Sequence, residues 1–210
     1  MDTISLETAF ACIAPHSRPI MERLRKQLQT PFRAYHNEAH TRSVVERAFD
    51  FSGGTPSVPL VAAALYHDAI YDPNERDNEA RSADFCRGEL SGLGFAPKIL
   101  DEAARLILLT TDHRPNAEDA DGIILCDADL YILGSSPDEY ATYRSAIRTE
   151  YAHVSTSAWN TGREQVLARF LERPQIFHGY WVDVVAYEAR ARRNIAGEIS
   201  SLREAGETRH

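Results

Sequence analysis

Apolar residues recur along most of this chain at separations of three and four, and no stretch alternates apolar and polar positions between hairpin-type turns. That is the period of helices whose one face is buried, not of half-buried strands. The pattern predicts about nine helices, over 5–29, 36–52, 58–71, 77–91, 97–111, 117–133, 137–153, 159–171 and 177–203. Punctuation supports several of these ends: Pro31, the pair Gly53-Gly54, Pro73 and Gly134 each stop a helix, and Ser136-Pro137 reads as a cap followed by proline in the first turn. No internal repeat and no low-complexity linker interrupts the pattern, and the tail EAGETRH reads as frayed. The expected fold class is all-α, a single-domain bundle spanning 1–210, since 210 residues suffice for one sizeable core.

Composition narrows the class. With 43% hydrophobic and 26% charged residues the chain belongs with ordinary water-soluble proteins, and no apolar run is long enough to cross a bilayer. The opening MDTISLETAF carries acids where a signal peptide carries Lys or Arg, so the cytoplasm is the expected location and no membrane the expected partner. Cys12, Cys86 and Cys126 are odd in number and far apart, which speaks against a disulfide framework or a thiolate zinc site and for reduced core residues. A net charge of -8 repels a phosphate backbone, so no duplex nucleic acid is expected as a partner. A small anion remains compatible if a local cation receives it.

Two of the apolar segments contain residues that do not belong in a dry core. LVAAALYHDAI is apolar around its circumference yet holds His67 and Asp68, and GIILCDADLYIL is equally apolar yet holds Asp127 and Asp129. A buried carboxylate without a partner costs several kcal/mol or more. Neither segment supplies Lys or Arg, so the counter-charge must come from another helix or from a bound metal. His36 and His40, four apart and expected on one helical face, offer nitrogen ligands. Asp127 and Asp129, two apart, point opposite ways on a helix, so only one of them is expected to bind.

The order His, then His-Asp, then Asp on separate helices resembles the HD-domain superfamily of metal-dependent phosphohydrolases. The segments RAYHNEAHTRSV, LYHDAIYD and DADL resemble its motifs, and the longer strings YHNEAH, HDAIYDPNERDNEARSA and TTDHRP are most similar to a subgroup of small predicted hydrolases. The resemblance covers about residues 30–135, which it implies to be the metal-binding core, with helices from 136–205 packing on it. It selects His40 over His36 and Asp129 over Asp127, and implies the ligand set His40, His67, Asp68 and Asp129 for one divalent ion. Two neutral imidazoles and two carboxylates suit Mn, Mg, Fe, Co, Ni or Zn. Such sharing requires the imidazoles of His40 and His67 to lie within about 6 Å, given bonds near 2.1 Å.

Around this set stand further candidates. Asp68 bridges the ion and the attacking water, Asp72, one turn beyond it, positions water or the leaving-group proton, and Glu79 is a similar acid in the next helix. His36, His113, Arg33 and Arg81 are expected to contact substrate, with Arg114 nearby; His113 also stands where binuclear members of the family use an extra histidine. Asp127 is expected to cap or support. His16, His153, His178 and His210 have no partner at ligand spacing, and Tyr180, Trp181 and Tyr187 read with Val184 and Val185 as a packing stripe on the last helix. The expected function is hydrolysis of a phosphoester or phosphoanhydride of a small molecule such as a nucleotide, by a monomer or homodimer. A regulatory or ligand-binding protein on the same scaffold is the alternative, and an oxygenase with an iron pair would need His36 and His113 as ligands. A zinc peptidase is disfavoured because Asn37 stands where H-E-x-x-H has its glutamate. Removing the metal is expected to destabilise the chain, because Asp68 and Asp129 would then repel one another.

Overall fold

Serine, asparagine and proline set most of the helix starts. The computed structural model describes residues 4–15 and 17–207. It contains α1 (Leu6–Ile13), α2 (Arg18–Leu28), α3 (Glu38–Phe51), α4 (Val58–Tyr66), α5 (Asn78–Ser91), α6 (Pro97–Leu109) and α7 (Ala120–Asp129). A 3-10 turn (Leu130–Gly134) leads to α8 (Pro137–Glu150), α9 (Thr156–Leu171) and α10 (Val184–Glu207). Among the described residues there is no strand, and no helix is long and apolar enough to cross a membrane. Ser5, Ser57, Ser136 and Ser155 each accept a hydrogen bond from a backbone N–H in the first turn of α1, α4, α8 and α9, and Glu139 completes a capping box with Ser136.

Several predicted boundaries move. The helix expected over 5–29 is two, because the chain breaks around Pro15 and restarts with Pro19 in the first turn of α2. The one expected over 36–52 begins at Glu38, with Asn37 as its cap, so His36 lies outside it. The one expected over 58–71 stops at Tyr66, five residues early, and that over 117–133 tightens to 3-10 geometry after Asp129. The last begins at Val184, leaving Tyr180 and Trp181 in the preceding loop; Trp181 and Tyr187 do pack, with ring centroids 5.1 Å apart, whereas Tyr180 and Val185 are exposed. Helix continues through Glu207 where fraying was expected from Glu204 on, and 208–210 lie outside the described residues, as do His16 and His210. Cys86 and Cys126 are buried as expected, but Cys12 is exposed; all three are free.

The chain divides into two compact units, Met1–Asp129 and Leu130–His210. In the first, α4 is the central element. Every residue from Leu60 to Tyr66 is buried, and α1, α3, α5, α6 and α7 all pack against it. That is why its sequence is apolar all round and carries no polar stripe. Ser57 also donates to Asp121 of α7, tying the start of one helix to the start of the other. In the second unit Leu130, Leu133, Tyr140, Leu167, Ile176 and Ile195 form the core. The buried carboxylate of Glu198 is neutralised there by Arg163 at 2.9 Å and accepts a hydrogen bond from Tyr140 at 2.7 Å.

One glycine is required by packing. A Cβ on Gly122 would lie 2.3 Å from Asp119 Oδ2 and 2.7 Å from Leu109 Cδ2, so a side chain at this position would force apart α7 and the end of α6. Asp119 cannot easily yield, because its carboxylate accepts from Gly122 N at 2.9 Å and from Arg105 at 2.7 Å. Gly122→Ala is therefore expected to lower stability by about 1–3 kcal/mol. Gly88, inside α5 with nothing within 4 Å of its would-be Cβ, provides the contrast: alanine there should raise stability by about 0.5–1 kcal/mol. Urea denaturation of the two variants checks both signs.

Candidate metal centre

Three helices of the first unit end or begin at one point. His40 is the third residue of α3, His67 the residue that closes α4, Asp68 its neighbour and Asp129 the last residue of α7. The Nε2 atoms of His40 and His67 are 3.1 Å apart. Asp129 Oδ1 lies 3.1 Å from His40 Nε2 and 3.6 Å from His67 Nε2, and Asp68 Oδ2 lies 3.3 and 3.2 Å from the same two atoms. Donor atoms bound to one ion at about 2.1 Å are separated by about 3.0 Å in octahedral and 3.4 Å in tetrahedral geometry. The spacings match, and the triad His40, His67 and Asp129 is able to chelate a metal ion. The tautomer fits as well: His67 Nδ1 is 3.0 Å from the carbonyl of Ala64, so the neutral ring donates there and turns its Nε2 lone pair to the cluster.

With no ion bound, protons take over part of the charge balance. Burial opposes charging His40, yet hydrogen bonds that it donates to Asp129 and Asp68 outweigh it and push the imidazole up to about 10 from 6.5. His67 is also raised, against its burial, by the charges of Asp68 and Asp129. Both carboxylates are held well below their usual range: burial works against this, but His67, with His36 at Asp68 and with His113 at Asp129, prevails. On removal of a metal, a proton held by the raised imidazoles would offset part of the carboxylate repulsion expected from the sequence.

The backbone that carries Asp68 is gripped by side chains from two sides. Arg33, buried just before α3, donates from Nη1 to the carbonyls of His36 at 2.7 Å and Asp68 at 2.6 Å, from Nη2 to Ala69 at 2.9 Å, and from Nε to Thr30 at 3.0 Å. Its guanidinium also lies over the Tyr71 ring, 5.5 Å from the centroid. From α5, Ser82 accepts from Ile70 N at 3.0 Å and donates to Ile70 O at 3.1 Å, while the Asn78 amide does the same with both backbone groups of Asp72 at 2.9 Å. Residues 68, 69, 70 and 72 are thus held at their backbone although irregular, which places the carboxylate without a helix to support it.

The remaining expected residues fall into two groups. His36 and His113 join the cluster: the His36 ring stacks on Tyr71 at 4.2 Å and meets His40 edge-on at 5.8 Å, although no shared helix face aligns them. His113 Nε2 is 2.8 Å from Asp129 Oδ2. Arg33, expected to contact substrate, is instead turned into the protein on three carbonyls. Asp72 is not a helical turn beyond Asp68, since α4 has already ended; its Oδ1 accepts from Asn74 N and Nδ2, both at 2.9 Å, in an Asx turn. Glu79 is half-buried in the first turn of α5, and Arg81 is exposed, 3.9 Å from Asp77. Asp127 is fully buried and outside the chelating triad.

Sequence reasoning passed over Tyr35, whose ring centroid is 4.6 Å from that of His40, along with Tyr71, Asn37, Asn78 and Ser82. The signal was present for Asn37, because an asparagine before an acid and a helical run is a cap, and its side chain does accept from Ala39 N and His40 N. For the others nothing local distinguishes a supporting side chain from a surface one. No protein-family model matches the chain, and no curated protein or solved structure matches it.

Two predictions follow from this geometry. Arg33→Ala should lower stability by about 2–4 kcal/mol, because three inward-facing carbonyls lose their donors, and Arg33→Lys should recover only part of that. Equilibrium unfolding in urea measures it. For pH the sign is set by the raised imidazoles: without metal, their contribution to stability is full below about 6.5 and is lost as pH rises towards about 10. A metal must displace the same protons, so its stabilising effect should grow over that range. Melting temperatures taken with and without zinc from pH 6 to 8.5 should diverge steadily; a constant gap would contradict the assignment.

Proposed function

We propose that the chain is a metal-dependent phosphohydrolase of HD type that cleaves a phosphoester or phosphoanhydride of a small molecule such as a nucleotide. The observation that carries the reading is that the Nε2 atoms of His40 and His67 lie 3.1 Å apart and that one carboxylate oxygen each of Asp68 and Asp129 comes within 3.1–3.6 Å of both. The HD-type core is proposed to lie within 30–135, which contains all four ligands. The motif resemblance supplies the reaction class; the geometry supplies the means.

His40, His67, Asp68 and Asp129 would hold one divalent ion, drawn from Mn, Mg, Fe, Co, Ni and Zn, whose two positive charges the carboxylates balance. When bound, that ion supplies Lewis acidity toward a phosphoryl oxygen and lowers the pKa of water. Asp68, 17% exposed at its side chain and held rigidly by the loop behind it, is the carboxylate we assign to orient the attacking water. Asp72 and Glu79 are the acids proposed to handle the proton of water or leaving group, and His36 and Arg81 to face substrate. Arg33 has no part in binding phosphate here, because its donors are committed to backbone carbonyls. A peptidase of the H-E-x-x-H kind loses further ground, since His36 and His40 do not share a helix.

The test is phosphate release from a panel of nucleotides and sugar phosphates with Mn, Mg, Co, Ni or Zn, beside His67→Ala. Turnover that needs metal and falls at least about 100-fold in the variant, the scale of losing a single transition-state contact in an enclosed site, is the expected result. Metal binding without turnover on any substrate would favour the regulatory or ligand-binding alternative, and activity surviving in His67→Ala would mark a contaminant.

A further inference from the structure

Asp129 offers its two oxygens to different partners. Oδ1 faces the Nε2 atoms of His40 and His67, at 3.1 and 3.6 Å, while Oδ2 is 2.8 Å from Nε2 of His113. A carboxylate that accepts a hydrogen bond on one oxygen is held to one-oxygen ligation through the other, and partners of this sort fix ligand orientation.

The backbone is bent to achieve this. His113 has φ +51°, and it and Asp183 are the non-glycine residues with positive φ among those described. The chain leaves α6 at Thr110, His113 N still bonds to the carbonyl of Leu109 at 2.9 Å, and the left-handed residue turns the ring back toward α7. Left-handed backbone at a residue other than glycine persists where surrounding contacts over-determine it. The contact here is the Asp129 carboxylate, itself 15% exposed at its side chain.

We propose that His113 is a positioning residue that holds Asp129 to one-oxygen coordination and so keeps a position on the ion open for water or substrate. This differs from its expected roles as substrate contact or second-metal ligand, and it rests on the metal centre described above. In this role His113 would act through Asp129 and not as a ligand of the ion. Without it the carboxylate is free to rotate and bind through both oxygens, closing the position that catalysis needs.

The test uses the full chain, titrated with Co(II) and read by visible absorption, in the wild type, His113→Asn and His113→Gln. Asparagine tolerates left-handed φ but is too short to reach Asp129, so it removes the contact while sparing the turn. Glutamine keeps an N–H donor of greater reach. The expected result is one cobalt per chain throughout, an altered cobalt spectrum and affinity about 10–100-fold weaker in His113→Asn, and partial return of both in His113→Gln. An unchanged spectrum and affinity in His113→Asn would overturn the proposal. So would two cobalt ions per wild-type chain with one lost in the variants, which would make His113 a ligand. A wild type that binds no cobalt removes the metal centre and this proposal together, whereas cobalt binding without phosphate release sinks the hydrolase reading alone.

Discussion

The structure of the first unit depends on how two carboxylates can be brought together inside a helical core. Asp68 and Asp129 approach the same pair of imidazole nitrogens, and two like charges at such range repel strongly where the dielectric is low. A divalent cation cancels them fully. A proton on His40 cancels one of them, which is why that imidazole is raised so far in the absence of an ion. The site is built around a positive charge, and its identity decides how much of the fold's stability is realised at a given pH.

Holding such a cluster requires rigidity where the backbone is least regular. Helix α4 ends at Tyr66, and beyond it only one turn bond, from Ala69 N to the Tyr66 carbonyl at 2.9 Å, extends the helical pattern among the bonds described. Arg33, Ser82 and Asn78 perform that task by bonding to backbone groups of residues 68, 69, 70 and 72. The planar guanidinium is suited to this because one side chain can satisfy several carbonyls at fixed angles. Rigid support of this kind is what distinguishes a site able to hold a ligand at bonding distance from one that is merely nearby.

The helical class and the cluster of potential metal ligands were legible because both rest on conflicts visible in a one-dimensional string. Uniformly apolar segments that contain His67-Asp68 and Asp129 cannot be ordinary core, and chemistry was the available resolution. Helix ends were less legible where tertiary contacts overrode local preference. Nothing in LVAAALYHDAI says that the helix stops at Tyr66, because the stop is imposed from outside by Arg33 and Ser82. The same cause misdirected Arg33 itself, since a sequence shows that a cation is present but not whether it faces solvent or three carbonyls. Tyr180 and Val185 were misread for a related reason: a stripe drawn on a helix is void when the helix begins only at Val184.

The placement of the ligands at helix termini adds a further electrostatic bias. His67 closes α4, and the C-terminal end of a helix carries partial negative charge that favours a cation, whereas Asp129 stands where α7 tightens into the 3-10 turn. His40 sits in the first turn of α3, whose N-terminal end favours the neighbouring carboxylates instead. One negative end and one positive end thus meet at a point that already holds two acid side chains. An anion alone would be repelled from such a point. It can approach only after a cation has reversed the local field.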